Sequence, residues 1–308
     1  MRKGKPYIPP GAPGHPRTSS DPSAARGLKA RSPRAERRPP EEESPPPARN
    51  TRKARAKAGK AVLVHEDEDI LAYDKPAGLP VIAADGSRSR SLLDIASEQV
   101  RRHNPKGRAA VVHRIDRDTS GIVVFATKAK VKKELMGGWD ELVSERRYVA
   151  LVEGSMGGAS GSYDSWLKEN KAGQVFRAGI GERGAKRAIT HWRLLGEGAG
   201  LSLLELTLGT GRKHQIRVQL SDAGHALIGD QRYGSLRDDL GRLCLHAVSI
   251  ELTMPGRETL RIESPPPSEF AAALKKAPAL NGPNASASAS RTAARKDAPP
   301  RRGDRRGK

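Results

Sequence analysis

The chain has 308 residues, 36% hydrophobic and 30% charged, with a net charge of +21. So small an apolar share excludes a packed core over the whole length. The single cysteine, Cys244, excludes an intrachain disulfide and fits a reducing compartment.

The charge is uneven: residues 1–60 carry a net +11, residues 271–308 a net +8, and the stretch between them only +2. Two basic tails are therefore expected to flank a nearly neutral core, an arrangement suited to a polyanion such as RNA. A solvated tail that only keeps the protein soluble fits the same counts. Residues 1–58 are rich in Pro, Arg, Ser and Ala without hydrophobic period, which predicts disorder. The basic start Met1-Arg2-Lys3-Gly4-Lys5-Pro6 is followed by no apolar run, so neither a secretory signal nor a membrane span is expected. Frequent Pro and Glu41-Glu42-Glu43 argue against a mitochondrial transit peptide, and a cytoplasmic location is expected.

Residues 59–275 form the expected single domain. Short, often β-branched runs predict strands at 61–64, 69–74, 110–115, 121–126, 146–152, 161–167, 173–178, 186–195, 201–208, 243–253 and 258–263. Helices are expected at 91–102, opened by Ser91 with Asp94 three places on, at 128–136 with a basic surface, at 213–223 closed by Gly224, and at 267–275. Many strands with irregularly placed helices predict an α+β fold with a largely antiparallel sheet. Residues 276–308, with a Ser/Ala tract and Arg301-Arg302-Gly303-Asp304-Arg305-Arg306, read as a second disordered basic tail. Cys244, inside Leu243-Cys244-Leu245, reads as a small buried hydrophobe.

One segment concentrates charge between two apolar runs: His113-Arg114-Ile115-Asp116-Arg117-Asp118-Thr119-Ser120-Gly121. If 111–116 is extended, Ile115 faces the core, with Arg114 and Asp116 together on the other side. Cations beside a carboxylate favour its charged form, the state a nucleophile needs. The same residues equally describe a turn tied by a surface ion pair.

The segment resembles the His-Arg-Leu-Asp-x-x-Thr-Ser-Gly signature of RluA-type RNA pseudouridine synthases, with Ile115 in place of Leu. Further stretches are similar in the same order: Asp69-Ile70-Leu71-Ala72-Tyr73-Asp74-Lys75-Pro76-Ala77-Gly78-Leu79, Arg147-Tyr148-Val149-Ala150-Leu151-Val152-Glu153-Gly154, Thr210-Gly211-Arg212-Lys213-His214-Gln215-Ile216-Arg217, Gly224-His225-Ala226-Leu227-Ile228-Gly229-Asp230 and Leu245-His246-Ala247. The resemblance implies the pseudouridine synthase fold, a mixed, mostly antiparallel bent sheet flanked by helices. It implies Asp116 as nucleophile, Tyr148 stacked on the target uracil, and Arg217 paired with Asp116. Arg114 would fill the space left by an everted base, while Arg212, Lys213 and the helix at 128–136 would meet phosphates. Asp118 reads as a turn residue bonded with Thr119 and Ser120. His214 shares a helical face with Arg217 and reads as a packing or hydrogen-bonding residue.

Pseudouridine formation breaks N1–C1′, turns the uracil and joins C5 to C1′, so no atoms are exchanged. The resemblance therefore implies neither metal nor organic cofactor, and action on structured RNA, ribosomal or transfer; a monomer is expected by default for an RNA enzyme with flexible tails. Many relatives carry an S4-type RNA-binding module, for which residues 1–58 are too polar and Pro-rich. The His-Arg-x-Asp order is not a kinase loop, because Asp does not follow Arg directly and no Gly-rich nucleotide loop is present. Gly209-Thr210-Gly211 lacks a phosphate-loop ending, and the eight histidines show no zinc spacing. Two rivals carry different chemistry: a non-catalytic RNA-binding protein on the same fold, and a hydrolase working through one carboxylate.

Overall fold

The computed structural model describes residues 59–276. The basic tails expected at 1–58 and beyond 276 lie outside the described residues.

The first strands are β1 (Val62–Glu66) and β2 (Ile70–Lys75), followed by helix α1 (Leu92–His103), β3 (Ala110–Val111) and β4 (Ser120–Ala126). Helices α2 (Ala129–Gly137) and α3 (Trp139–Leu142) lead into β5 (Val143–Glu153). Then come β6 (Ser160–Glu169), β7 (Val175–Ala178), β8 (Lys186–Gly198), β9 (Leu201–Leu208), α4 (Gln215–Asp222), β10 (Leu245–Thr253), β11 (Thr259–Glu263) and α5 (Ser268–Ala273). The 11 strands form one sheet, ordered β1-β2-β4-β10-β5-β9-β8-β6-β7, with β3 on β4 and β11 on β10. Every pairing is antiparallel except β4 with β10.

Alternation along the strands sets the layers. Ile70 and Ala72 of β2, with Ile122 and Val124 of β4, face α2 through Val131 and Leu135. Leu71, Tyr73, Val123 and Phe125 face the other way, onto Leu92, Ala96 and Val100 of α1. Every residue of β4 is buried, as befits a strand covered on both faces. Further along the sheet, Ile216 and Leu220 of α4 pack on Ala150, Leu204 and Leu206. The expected cap of α1 is present: Ser91 Oγ accepts from the Asp94 N–H while Asp94 accepts from the Ser91 N–H.

Two elements differ from expectation. The strand predicted over 110–115 stops at Val111, because the His113 ring takes the place of a ladder partner: its Nε2 accepts the Val124 N–H at 2.9 Å. The helix predicted over 213–223 begins only at Gln215, because His214 adopts a left-handed conformation, φ 52°.

Candidate active site

Asp116 lies in the loop between β3 and β4, and the loop is pinned on both sides of it. Ile115 is buried in the α1 layer. On the other side the Arg117 carbonyl accepts from the Gly78 N–H at 2.9 Å and from Lys75 Nζ at 2.8 Å. Lys75 closes β2, is completely buried, and also donates to the carbonyls of Pro76 (3.0 Å) and Leu79 (2.9 Å). Burial pushes its pKa down to about 7. Three carbonyl acceptors nonetheless require three N–H donors, which only the ammonium form supplies.

Of the cations expected around Asp116, Arg217 bonds it and the chain neighbours Arg114 and Arg117 do not. Arg117 donates to Asp118 at 3.3 Å, and Arg114 is exposed at the pocket edge. The guanidinium that reaches Asp116 is that of Arg217 on α4, with Nη1 3.0 Å from Oδ2. Asp118 does not bond Thr119 or Ser120 as expected. Ser120 Oγ instead meets His246 Nδ1 at 2.8 Å, held across the β4–β10 pairing.

Arg217 is itself fixed. Asp230, almost fully buried, takes its Nε at 2.7 Å and its Nη2 at 2.8 Å in a fork. The guanidinium also lies 5.1 Å from the Tyr233 ring centroid. Burial works against the Arg217 charge, but the carboxylates of Asp230 and Asp116 outweigh it and raise the pKa further. Asp230 was given no role in the sequence, although it closes the matched stretch Gly224-His225-Ala226-Leu227-Ile228-Gly229-Asp230. Gly229 beside it cannot be replaced quietly: φ is +79° and an added Cβ would lie 2.1 Å from the Arg242 carbonyl oxygen.

His214 stands with Nε2 3.7 Å from Asp116 Oδ2, beyond hydrogen-bond reach, and Nδ1 2.7 Å from the Tyr233 hydroxyl. That hydroxyl also accepts the Val175 N–H, so it ties the His214 ring to β7. Burial lowers the His214 pKa, with the Asp116 charge opposing, and the ring is neutral at neutral pH.

These groups open onto a cleft of about 560 Å³. Tyr148 of β5 lines it, as do Arg146, His113 and Trp139, none of the last three picked out as site residues in the sequence. Burial pushes the Tyr148 phenol up to about 12, against the opposing charge of Arg146, so it stays protonated. Arg212 and Lys213 line the rim. Arg212 donates to the Arg187 carbonyl at 3.1 Å, and Lys213 is tied to Glu169. Among the described residues no group of His, Cys, Asp or Glu side chains is gathered as a metal site.

The family model described as RNA pseudouridylate synthase matches residues 69–222. A ribosomal large subunit pseudouridine synthase D of Nitrosomonas europaea is 34% identical over 236 residues, covering 73% of this chain and 68% of the relative. This chain belongs to the RluA-type RNA pseudouridine synthases. The synthase is thus an isomerase that converts uridine in RNA to pseudouridine. A ribosomal large subunit pseudouridine synthase C of Vibrio cholerae is 32% identical, covering 70% of this chain and 68% of its own length. The synthase also shares its fold with human RNA pseudouridylate synthase domain containing 4, at TM-score 0.58 and 22% identity, over 70% of this chain and 92% of that one. Among its described residues, no helix is long and apolar enough to cross a membrane.

Proposed function

We propose that the synthase modifies ribosomal RNA of the large subunit, with Asp116 as the nucleophile. The observation that carries the catalytic part is the 3.0 Å contact between Arg217 Nη1 and Asp116 Oδ2 at the mouth of an open cleft. One carboxylate oxygen is held by a guanidinium that Asp230 has already oriented, which leaves the other free to react. The target uridine leaves its stack and enters the cleft, at a cost of a few kcal/mol. Tyr148 stacks on the uracil, its hydroxyl placed for proton transfer at C5. Arg114, uncommitted to any carboxylate among the described residues, fills the vacated stack with its planar guanidinium. The N1–C1′ bond breaks, the uracil turns in place, and C5–C1′ forms as the C5 proton is lost and N1 gains one. The names of the bacterial relatives support ribosomal RNA as substrate.

The test is Asp116→Asn, which keeps size and a contact to Arg217. Turnover on total RNA is expected to fall by at least about a thousandfold, with RNA affinity within about threefold, since phosphate contacts dominate binding. Near-normal turnover would remove Asp116 from the mechanism. Mapping pseudouridine in cells with and without the gene tests the substrate: a site lost from large-subunit ribosomal RNA is expected, and a loss confined to transfer RNA would overturn that assignment.

A further inference from the structure

The far face of the β6–β7–β8 segment carries features that the catalytic cleft does not use. On β6, Ser165 and Leu167 point to α4: Gln219 Nε2 donates to Ser165 Oγ at 2.9 Å, and Leu167 packs with Val218. Asp164, Trp166 and Lys168 therefore point the opposite way. Arg187 of β8 lies directly across from Trp166, and Phe176 of β7 directly across from Lys168. A cleft of about 460 Å³ opens here, lined by Trp166, Ala178, Ile180 and Arg187 among others. Phe176 is 39% exposed and Ile180 90%, so apolar side chains meet water on this segment.

The same stretch is basic. Residues 160–187 hold six Lys+Arg and three Asp+Glu, a net +3, against +2 for the whole of residues 61–270. Asp164 grips Arg187 through Nε and Nη2, which fixes the guanidinium plane and leaves its face and Nη1 open. One hydrogen bond links the linings of the two clefts. Arg212 lines the catalytic cleft, and its Nε donates to the carbonyl of Arg187 at 3.1 Å.

We propose that this face binds unpaired nucleotides flanking the target uridine, their bases stacked on Trp166 and Phe176 and their phosphates met by Arg187 and Arg212. Aromatic rings, Phe176 exposed and Trp166 half-buried, interleaved with cations suit single-stranded nucleic acid, because every base offers a flat face and every linkage a negative charge. An acidic protein segment would use the cations but not the rings. The proposal rests on Asp116 marking where the target base enters.

The experiment uses the full chain and a 12-nucleotide oligouridylate carrying 4-thiouridine. Photocrosslinks are expected on peptides within 160–187 as well as on the catalytic loop. Trp166→Ala combined with Phe176→Ala, checked for retained fold by circular dichroism, is expected to bind the oligouridylate at least about tenfold more weakly. Turnover at saturating RNA should stay unchanged. Crosslinks absent from 160–187, or unaltered affinity in the folded double variant, would overturn the proposal. So would a loss of turnover at saturation with affinity unchanged, which marks a structural role. Full turnover by Asp116→Asn would instead remove the catalytic assignment and leave the crosslink map standing.

Discussion

Arg114 and Arg117 flank Asp116 in the chain, yet the guanidinium touching its carboxylate comes from residue 217. The loop turns Arg117 onto Asp118 and Arg114 to the surface, so local charge does not serve the acid; a rigid helix does. His113, three residues before the acid, is a second case of a side chain committed by its surroundings. Its Nε2 accepts a backbone N–H from β4 and its ring lies 5.1 Å from Trp139, centroid to centroid. Burial, with the Arg146 charge adding to it, lowers its pKa to about 4. A folded-state pKa below the unfolded value of about 6.5 means that the unfolded chain takes up the proton first on acidification. The stability this brings is complete above about pH 6.5 and is lost as pH falls towards 4, by at most about 3 kcal/mol. In His113→Gln, whose amide oxygen can still accept from Val124, the slope of melting temperature against pH across that window should flatten. An unchanged slope would mean that the ring is not the titrating group.

At the scale of elements, the joint between β4 and β10 places the end of the loop that carries Asp116. It is the sheet's single parallel pairing, just His246 with Ser120 and Ala247 with Gly121. Gly121 sits there at φ +109°, and an added Cβ would lie 2.1 Å from the Ala247 carbonyl oxygen. Gly121→Ala should therefore destabilise by on the order of 3 kcal/mol, combining overpacking with backbone strain. Urea unfolding measures this, and a midpoint within error of the parent would contradict the close approach. The Ser120-Gly121 pair was legible in the sequence as part of a motif, but the need for the glycine was not, because its partner lies 126 residues away. The long strands and α1 were legible because their periodicity and cap are local. The end of β3 was not, because a side chain replaced the expected ladder bond. The meeting of Asp116, Tyr148 and Arg217 at one cleft was legible through ordered motifs. Asp230 and Lys75 were missed as working residues because a buried charge declares itself only by its partners: a guanidinium for one, three carbonyls for the other.

For the whole molecule, most of the positive charge lies outside residues 61–270, which hold only +2 of the +21. If the terminal segments meet phosphates, removing 1–58 and 277–308 should weaken binding to total RNA and flatten its dependence on salt. Equal affinities at low salt would show that the domain alone supplies the contacts. The sheet order bears on how such a chain is made. β10 lies between β4 and β5 and so joins the half built from residues 62–126 to the half built from 143–208. During synthesis both halves are finished first, each with an open edge awaiting the same late strand. Asp116 belongs to the first half and Arg217 follows the second, so the two come into register only once β10 has been made and has paired with both.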